Sequence, residues 1–227
     1  MFEFIFWDLD DTLLYFKACE REALRATLRL NGIEMTDHLI CRYSAINDSK
    51  WKLFERGEIT RRMVQLTRFE DFFKEFGFEI SVTDFNDQYV EQLGLQAVEY
   101  PGIHEMLSKL QPHYKMYLAS NGVEKVQISR IAISKLGPYF IKLFSSEFMG
   151  APKPEKAFFE ACFAQIPNFD PKKAIIIGDS LSSDIRGGIN AGIATCWFNP
   201  EGKALPEGIQ PDYEIRSLEE IFTILPV

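Results

Sequence analysis

Four short apolar segments, each followed at once by a polar cluster, constrain the fold of this chain more than any other feature of its sequence. Continuous apolar runs of this length, bounded by Gly and Asn, are typical of strands that are buried on both faces of a parallel sheet. Because the carboxyl ends of parallel strands meet at one edge of a sheet, the polar clusters are predicted to lie together at that edge. The segments cover residues 2–7, 116–119, 174–177 and 194–198.

From Pro101 onward, helical patterns alternate with these segments. Apolar residues recur at helical spacing after Pro101-Gly102, and a later helical pattern carrying Ile185 and Ile189 ends at Gly192. This alternation predicts a doubly wound α/β fold with a parallel, Rossmann-type sheet.

Residues from about 15 to 96 interrupt the alternation, because they show helical spacing and no comparable strand pattern. We predict that residues 1–14 and 97–227 form the α/β core domain and that residues 15–96 form a helical-bundle cap domain inserted after the first strand. An aromatic stripe in this region has the spacing of a buried helix face, which favours bundle core over a cofactor site. The stripe consists of Phe69, Phe72, Phe73 and Phe76.

The charge of the chain argues against two classes of partner. The formal net charge is −8, and there is no basic stripe or polybasic run. Neither a nucleic acid polymer nor an anionic membrane is therefore expected to bind. A small anionic substrate is compatible with this charge, because a metal ion and one lysine can reverse the local field of a pocket.

The lengths of the apolar runs and the spacing of the cysteines bear on where in the cell the protein is located. No stretch approaches the ~20 apolar residues of a membrane span, and the N-terminal apolar run is too short for a signal peptide. The 4 cysteines are scattered, without a C-x-x-C pair, which favours reduced thiols over a disulfide framework or a zinc site. We expect a cytoplasmic protein that is a monomer or a homodimer.

Asp8 and Asp10 follow the first apolar segment and precede Thr12. Hydrolysis of a phosphate ester through a covalent intermediate needs a nucleophile and an acid for the leaving oxygen. A carboxylate beside Mg²⁺ can attack phosphorus, because the cation offsets the repulsion between the two anions. A second carboxyl can protonate the leaving oxygen and then activate water. Two solvated loop acids are the alternative, but the preceding strand and the following Thr12-Leu13 favour catalysis.

A second acidic pair, Asp179 and Asp184, follows the third apolar segment. Mg²⁺ prefers oxygen ligands and takes few of them from the protein, so Asp179 at the strand end is predicted to bind the metal directly. Asp184 is predicted to complete the metal shell, directly or through water, or to orient a lysine. A role in the first turn of the following helix is compatible with either function.

Two further segments suit phosphate binding. Ser120-Asn121 follows the second apolar segment and precedes a helix, where a hydroxyl and a backbone N–H can bind a phosphate oxygen. Lys153 stands between Pro152 and Pro154, which restrict the backbone around it. This setting favours a lysine that pairs with the nucleophile and the phosphate over one that extends into solvent.

Taken in order, D-x-D-x-T, S-N, K-P and G-D-x-x-x-x-D resemble the motifs of the haloacid dehalogenase (HAD) superfamily of phosphatases, over nearly the whole chain. The resemblance implies that Asp8 is the nucleophile and Asp10 the general acid and base. It also implies that Mg²⁺ is held by the Asp8 carboxylate, the Asp10 backbone carbonyl and Asp179. The residues that would bind the phosphoryl group are Ser120, Asn121 and Lys153.

Asp10 also bears on which members of the superfamily this chain resembles. The dehalogenases that gave the superfamily its name lack a matching second aspartate and need no metal, so the resemblance implies a phosphatase. Sugar phosphomutases share the D-x-D motif but usually carry Gly at the position of Asp11.

The segment 178–199, with G-G-I-N-A-G-I followed by T-C-W-F-N, resembles the YjjG-type pyrimidine 5′-nucleotidases. This implies a small phosphomonoester substrate such as UMP, dUMP, dTMP or a noncanonical analogue. Two alternatives stay open, a phosphatase or phosphomutase for sugar phosphates or other small metabolites, and a non-catalytic phosphate-binding protein. Four aromatic residues of the cap can stack on a base but are predicted to pack within the cap: Phe16, Tyr43, Trp51 and Phe54.

Overall fold

A six-stranded, fully parallel sheet forms the centre of the computed structural model, which describes residues 1–227. The predicted doubly wound α/β fold is thereby confirmed. Across the sheet the strand order is β3-β2-β1-β4-β5-β6. In chain order the strands are β1 (Phe4–Trp7), β2 (Lys115–Ser120), β3 (Lys142–Ser145), β4 (Ala174–Gly178), β5 (Ala194–Phe198) and β6 (Tyr213–Ile215).

The four apolar segments of the sequence are β1, β2, β4 and β5. The remaining strands, β3 and β6, lie at the two edges of the sheet and each have exposed residues. A strand with exposed positions carries no continuous apolar run, which is why these two were not predicted.

Nine α-helices accompany the sheet, and none is both long enough and apolar enough to cross a membrane. A short π-helix, Leu181–Ile185, directly precedes the last of them. The α-helices are α1 (Phe16–Leu30), α2 (Asp37–Glu55), α3 (Arg61–Phe76), α4 (Val82–Gly94), α5 (Ile103–Leu110), α6 (Glu124–Ile133), α7 (Ser146–Met149), α8 (Lys156–Phe163) and α9 (Arg186–Ala191).

Both faces of the sheet are buried, because successive side chains of a strand point to opposite sides. On one side Trp7 packs in a cluster with Leu107 of α5. On the other side Phe6 packs in a cluster with Phe158 of α8. All four side chains are fully buried, and burial of one such side chain contributes about 1.5–3 kcal/mol.

Helices α1 to α4 pack around a separate apolar cluster. Phe69, Phe72 and Phe73 are buried there, with Tyr43 stacked on Phe69 and Tyr89 in edge contact with it. The aromatic stripe is therefore bundle core, as predicted. These four helices lie within the predicted cap, whose boundaries at residues 15 and 96 stay predictions.

The register of the sheet brings the polar clusters to one edge. Trp7 at the end of β1 pairs with Leu118 of β2 and with Ile177 of β4. The residue directly after β1 is Asp8, whose backbone N–H donates to the Ile177 carbonyl at 2.9 Å. Because β2 and β4 flank β1 on opposite sides, Asp8 lies where the strand order reverses, the usual ligand position in such sheets.

Candidate active site

All seven residues predicted for the site line one cavity of about 390 Å³. They come from four separate stretches of the chain, and the carboxyl ends of β1, β2 and β4 bring three of these stretches together. Their proximity is as predicted, while their catalytic roles stay predictions. The residues are Asp8, Asp10, Ser120, Asn121, Lys153, Asp179 and Asp184.

A sharp turn after the first strand sends Asp8 and Asp10 into different surroundings. Asp11 has φ of 56°, in the left-handed region, and its carboxylate accepts a hydrogen bond from the Phe16 N–H at 2.8 Å. Asp8 is 7% exposed and faces Lys153, whereas Asp10 faces α6. Two acids only two positions apart can therefore carry different functions.

Lys153 connects the end of β1 with the π-helix. Its Nζ donates to Asp8 Oδ1 at 2.7 Å, to Asp184 Oδ1 at 2.6 Å and to the carbonyl of Ala119 at 2.6 Å. The side chain is 1% exposed, and all three ammonium protons have acceptors, as a buried charge requires. Lys153 therefore pairs with Asp8, and its contact with a phosphate stays a prediction.

The Asn121 side chain holds the backbone of Lys153 in place. Its Oδ1 accepts from the Lys153 N–H at 2.9 Å, and its Nδ2 donates to the Lys153 carbonyl at 2.8 Å. The amide is thus engaged by the protein at both ends. The Asn121 backbone N–H is the group at this position that the sequence pattern suggested for a phosphate contact.

The Ser120 hydroxyl is prepared to donate a hydrogen bond. It is 1% exposed, and its Oγ accepts from the Gly122 N–H at 3.0 Å and from Gln127 Nε2 at 2.8 Å. With both acceptor positions filled, the hydroxyl proton is left for a further partner. A phosphoryl oxygen is an acceptor of this kind.

Asp8, Asp179 and Asp184 form a cluster in which each offers a carboxylate oxygen within 4.8 Å of the other two. Asp184 also accepts a hydrogen bond from Lys153 Nζ and another, at 3.1 Å, from the Ser180 N–H. The contact with Lys153 holds the lysine in position, which is one of the two roles predicted for Asp184. The Asp179 carboxylate accepts no hydrogen bond from the protein, which leaves its oxygens for another ligand.

The electrostatics of this cluster favour a divalent cation. Burial raises the pKa of Asp8; Lys153 opposes this rise, and Asp184 adds to it. Burial, together with Asp8 and Asp184, holds the pKa of Asp179 well above its usual range. Burial lowers the pKa of Lys153, but Asp184 and Asp8 outweigh it and the net shift is upward. One ammonium does not balance three carboxylates, and hard oxygen donors fit Mg²⁺.

Thr12 belongs to the site although it was not predicted as a site residue. Its hydroxyl donates to Asp8 Oδ2 at 3.2 Å and accepts from the Asp179 N–H at 3.1 Å, and the side chain is fully buried. It thereby links the loops that follow β1 and β4. The D-x-D-x-T pattern was the feature of the sequence from which Thr12 could have been predicted.

Gln127 and Arg130 also belong to the site and were missed. Both are polar residues on the buried face of α6, where they contact Asp10. A glutamine and an arginine three positions apart are ordinary on an exposed helix face, so the sequence pattern carried no usable signal.

The cavity continues from the sheet edge to the helical bundle. Trp51 and Gln65, on α2 and α3, line it together with Phe16 at the start of α1. Tyr43 and Phe54 are buried, in accordance with the prediction. Phe16 packs against the bundle cluster and Trp51 against Phe54, and these partly exposed rings also border the cavity.

Relatives of this chain were identified by sequence over nearly its full length. YfnB of Bacillus subtilis, a HAD-hydrolase, is 40% identical over 98% of this chain and 95% of its own. PynA of Streptococcus pneumoniae is 36% identical over 99% and 95% of the two chains, and YjjG of Escherichia coli is 31% identical over 98% and 97%. PynA and YjjG are pyrimidine 5′-nucleotidases.

The fold also matches the solved structure of one of these relatives over the full chain. The crystal structure of YfnB bound to magnesium, which reveals interdomain movement in that protein, superposes with a TM-score of 0.95 at 38% identity. The match covers 100% of this chain and 99% of YfnB. Residues 2–192 also match the model of the haloacid dehalogenase-like hydrolases. The resemblance read from the sequence motifs is confirmed, and this protein belongs to the haloacid dehalogenase-like hydrolase family.

Proposed function

We propose that this hydrolase is a Mg²⁺-dependent phosphomonoesterase that acts through an aspartyl-phosphate on Asp8. Its proposed substrates are pyrimidine nucleoside 5′-monophosphates such as UMP, dUMP, dTMP and noncanonical analogues. The observation that carries the proposal is the position of the Asp8 carboxylate, buried beside Lys153 and the unpartnered Asp179 at the end of an extended cavity.

The metal would be held by the Asp8 carboxylate, the Asp10 backbone carbonyl and Asp179, with Asp184 binding directly or through water. The clustered carboxylates and their raised pKa values support this assignment. When bound, Mg²⁺ would offset the repulsion between Asp8 and the phosphoryl anion.

In the first half-reaction, an Asp8 oxygen forms a bond to phosphorus while the bond from phosphorus to the ester oxygen breaks. Asp10 gives its proton to the departing oxygen, which leaves as an alcohol. In the second half-reaction, water attacks the aspartyl-phosphate and Asp10 takes a proton from it. The bond between Asp8 and phosphorus breaks, so inorganic phosphate leaves and both acids return to their starting forms.

Three groups would bind the phosphoryl oxygens. The Ser120 proton is available because its oxygen already accepts two hydrogen bonds. Lys153 supplies positive charge from its position beside Asp8, and the Asn121 backbone N–H follows Ser120 directly. Fixed donors of this kind stabilise charge that develops in the transition state.

The far end of the cavity would bind the nucleoside. Trp51 lines the cavity on the side of the bundle and Phe16 lines it nearer to Asp10, and the amide of Gln65 makes no hydrogen bond within the protein. A pyrimidine has a flat face for aromatic contact and an edge that both donates and accepts hydrogen bonds, so it matches this lining. The activities of the relatives PynA and YjjG support the same substrate class.

The four free cysteines and the lack of a spanning helix agree with the proposed cytoplasmic location.

Phosphate release from dUMP and dTMP, compared with glucose phosphates, tests the substrate class. We expect Mg²⁺-dependent release that is fastest with the pyrimidine nucleotides and that is lost in EDTA and in Asp8→Asn. Faster release from glucose phosphates would favour the sugar phosphatase alternative. Full turnover by Asp8→Asn would exclude Asp8 as the nucleophile, and activity indifferent to EDTA would remove the metal.

A further inference from the structure

Helix α6 presents two buried polar side chains, Gln127 and Arg130, to the carboxylate of Asp10. Gln127 is 1% exposed and Arg130 is 0% exposed. Neither belongs to the metal cluster or to the groups proposed to bind phosphate. Both were absent from the residues predicted by sequence, so their function requires a separate explanation.

The two side chains hold both oxygens of the Asp10 carboxylate. Gln127 Nε2 donates to Asp10 Oδ2 at 2.6 Å, and Arg130 Nη1 donates to Asp10 Oδ1 in an ion pair. Arg130 Nη1 also donates to Gln127 Oε1 at 3.0 Å, which fixes the orientation of the amide. A carboxylate held at both oxygens by donors that are themselves held has little freedom to rotate.

Packing alone does not account for an arginine at this position. Burial of a guanidinium is costly unless the charge is paired, and the only carboxylate in its ion-pair contacts is Asp10. The remaining contacts anchor it, since Nε donates to the Gln96 carbonyl at 3.0 Å and the guanidinium lies 5.6 Å from the centre of the Phe16 ring.

The same glutamine also touches the proposed phosphate site. Gln127 Nε2 donates to Ser120 Oγ at 2.8 Å in addition to Asp10. One amide therefore sets the distance between the group that would hold the phosphoryl oxygen and the group that would carry the proton. General acid catalysis depends on this distance, because the proton must reach the leaving oxygen within hydrogen-bond range.

We propose that Gln127 and Arg130 are positioning residues for Asp10, which they orient toward the leaving-group oxygen of the bound phosphate ester. The inference rests on the proposed function, in which Asp10 is the general acid and base. In the arrangement seen here both Asp10 oxygens accept hydrogen bonds, which suits the step in which Asp10 takes a proton from water in the second half-reaction. The Gln127 amide has to turn or move aside when Asp10 carries its proton.

The dependence on the leaving group tests this proposal. A nucleoside 5′-oxygen needs a proton in order to depart, whereas p-nitrophenolate departs without one. In a mechanism with a covalent intermediate, kcat/KM reports only the steps up to the departure of the leaving group. We would measure kcat/KM with Mg²⁺ for dUMP and p-nitrophenyl phosphate in wild type, Gln127→Met and Arg130→Met, with Lys125→Met on the exposed side of α6 as the control.

Both variants are expected to lower kcat/KM for dUMP about 10- to 100-fold more than for p-nitrophenyl phosphate, within the range of general acid catalysis. Lys125→Met should change neither. Equal losses on the two substrates would overturn the proposal, because a structural role lowers both alike.

A third variant, Gly122→Ala, keeps the proposal testable if Gln127→Met or Arg130→Met does not fold. A Cβ on Gly122 would lie 2.3 Å from Gln127 Nε2, at the end of that side chain. Gly122→Ala therefore displaces the amide without removing it and should reproduce the selective loss on dUMP. Unchanged selectivity in this variant, at an unchanged thermal midpoint, would overturn the proposed role of Gln127.

Asp10→Asn separates this inference from the proposed function. A selective loss on dUMP in Asp10→Asn, without one in the α6 variants, leaves the function standing and overturns the inference. If Asp10→Asn hydrolyses dUMP at the wild-type rate, the acid role of Asp10 fails and the inference fails with it.

Discussion

Lys153 and Asp184 form an ion pair that is almost completely enclosed. Nζ and Oδ1 lie 2.6 Å apart, and each side chain is 1% exposed. The interaction fixes a lysine that also contacts Asp8. Asp184 thus affects the proposed nucleophile through Lys153, whether or not it also binds a metal.

Asp184→Asn is expected to lower both stability and activity. Loss of one partner from a buried ion pair costs about 3–5 kcal/mol, and the remaining contact with Asp8 should reduce this to about 3 kcal/mol. We expect kcat/KM to fall about 10- to 100-fold, as for other groups that orient a ligand. Urea unfolding and phosphatase assays measure the two effects, with the exposed Asp87→Asn as the control. Unchanged activity would show that the pairing has no catalytic consequence.

Gly178→Ala should displace Asp184 without altering any charge. A Cβ at Gly178 would lie 2.2 Å from Asp184 Oδ2 and 2.6 Å from Asp184 Cβ, closer than atoms can approach. We expect activity to fall with the thermal midpoint. Gly94→Ala is the matched control, because its Cβ would meet Ser129 at an ordinary 3.7 Å. A Gly178→Ala variant as active as Gly94→Ala would contradict the observed packing.

Glu20 should make stability depend on pH. Burial raises the pKa of this carboxyl from 4.5 to about 7, although the Ser44 hydroxyl opposes the rise. The folded state therefore favours the protonated form, and this contribution to stability is complete below pH 4.5 and is lost as pH rises to about 7. The loss amounts to about 3 kcal/mol, at 1.36 kcal/mol per pKa unit.

Glu20→Gln stays neutral, so its stability relative to wild type should increase between pH 5 and pH 8. Urea unfolding at the two pH values measures this difference, and Glu22→Gln, on the same helix but partly exposed, should show no such trend. A difference that does not change with pH would contradict the raised pKa.

The last residue of α2 joins the helical bundle to the loop that follows β4. Glu55 accepts a hydrogen bond from the Ser180 hydroxyl at 3.3 Å and another from the Ser182 hydroxyl. Loss of these bonds should cost about 1 kcal/mol and shift the chain toward conformations in which the bundle lies farther from the sheet.

We expect Glu55→Ala to have a larger radius of gyration than wild type in solution X-ray scattering, and a higher KM. Glu58→Ala is the control, since Glu58 pairs only with the exposed Arg56, two positions earlier. Identical scattering from the two variants would indicate that the Glu55 contact does not hold the bundle in place.

Much of the fold was predictable, because the buried positions of a strand or helix form a recognisable pattern of apolar residues in the sequence. The central strands are buried on both faces, so β1 and β4 appear as unbroken apolar runs. The edge strands β3 and β6 are partly exposed and left no such record. Helix α3 was recognisable because its Phe residues recur at helical spacing, and Gly77 ends it with φ of 69°.

The sequence by itself determined the four central strands and the groups that meet at their ends, because strand ends and turn residues are local properties. Asp8, Lys153 and Asp179 could be named for this reason. What Asp10 contacts was decided only by tertiary structure. Arg130 lies 120 positions away along the chain, and it meets Asp10 only because α6 packs over the first strand's loop. No local pattern records a contact between residues so far apart.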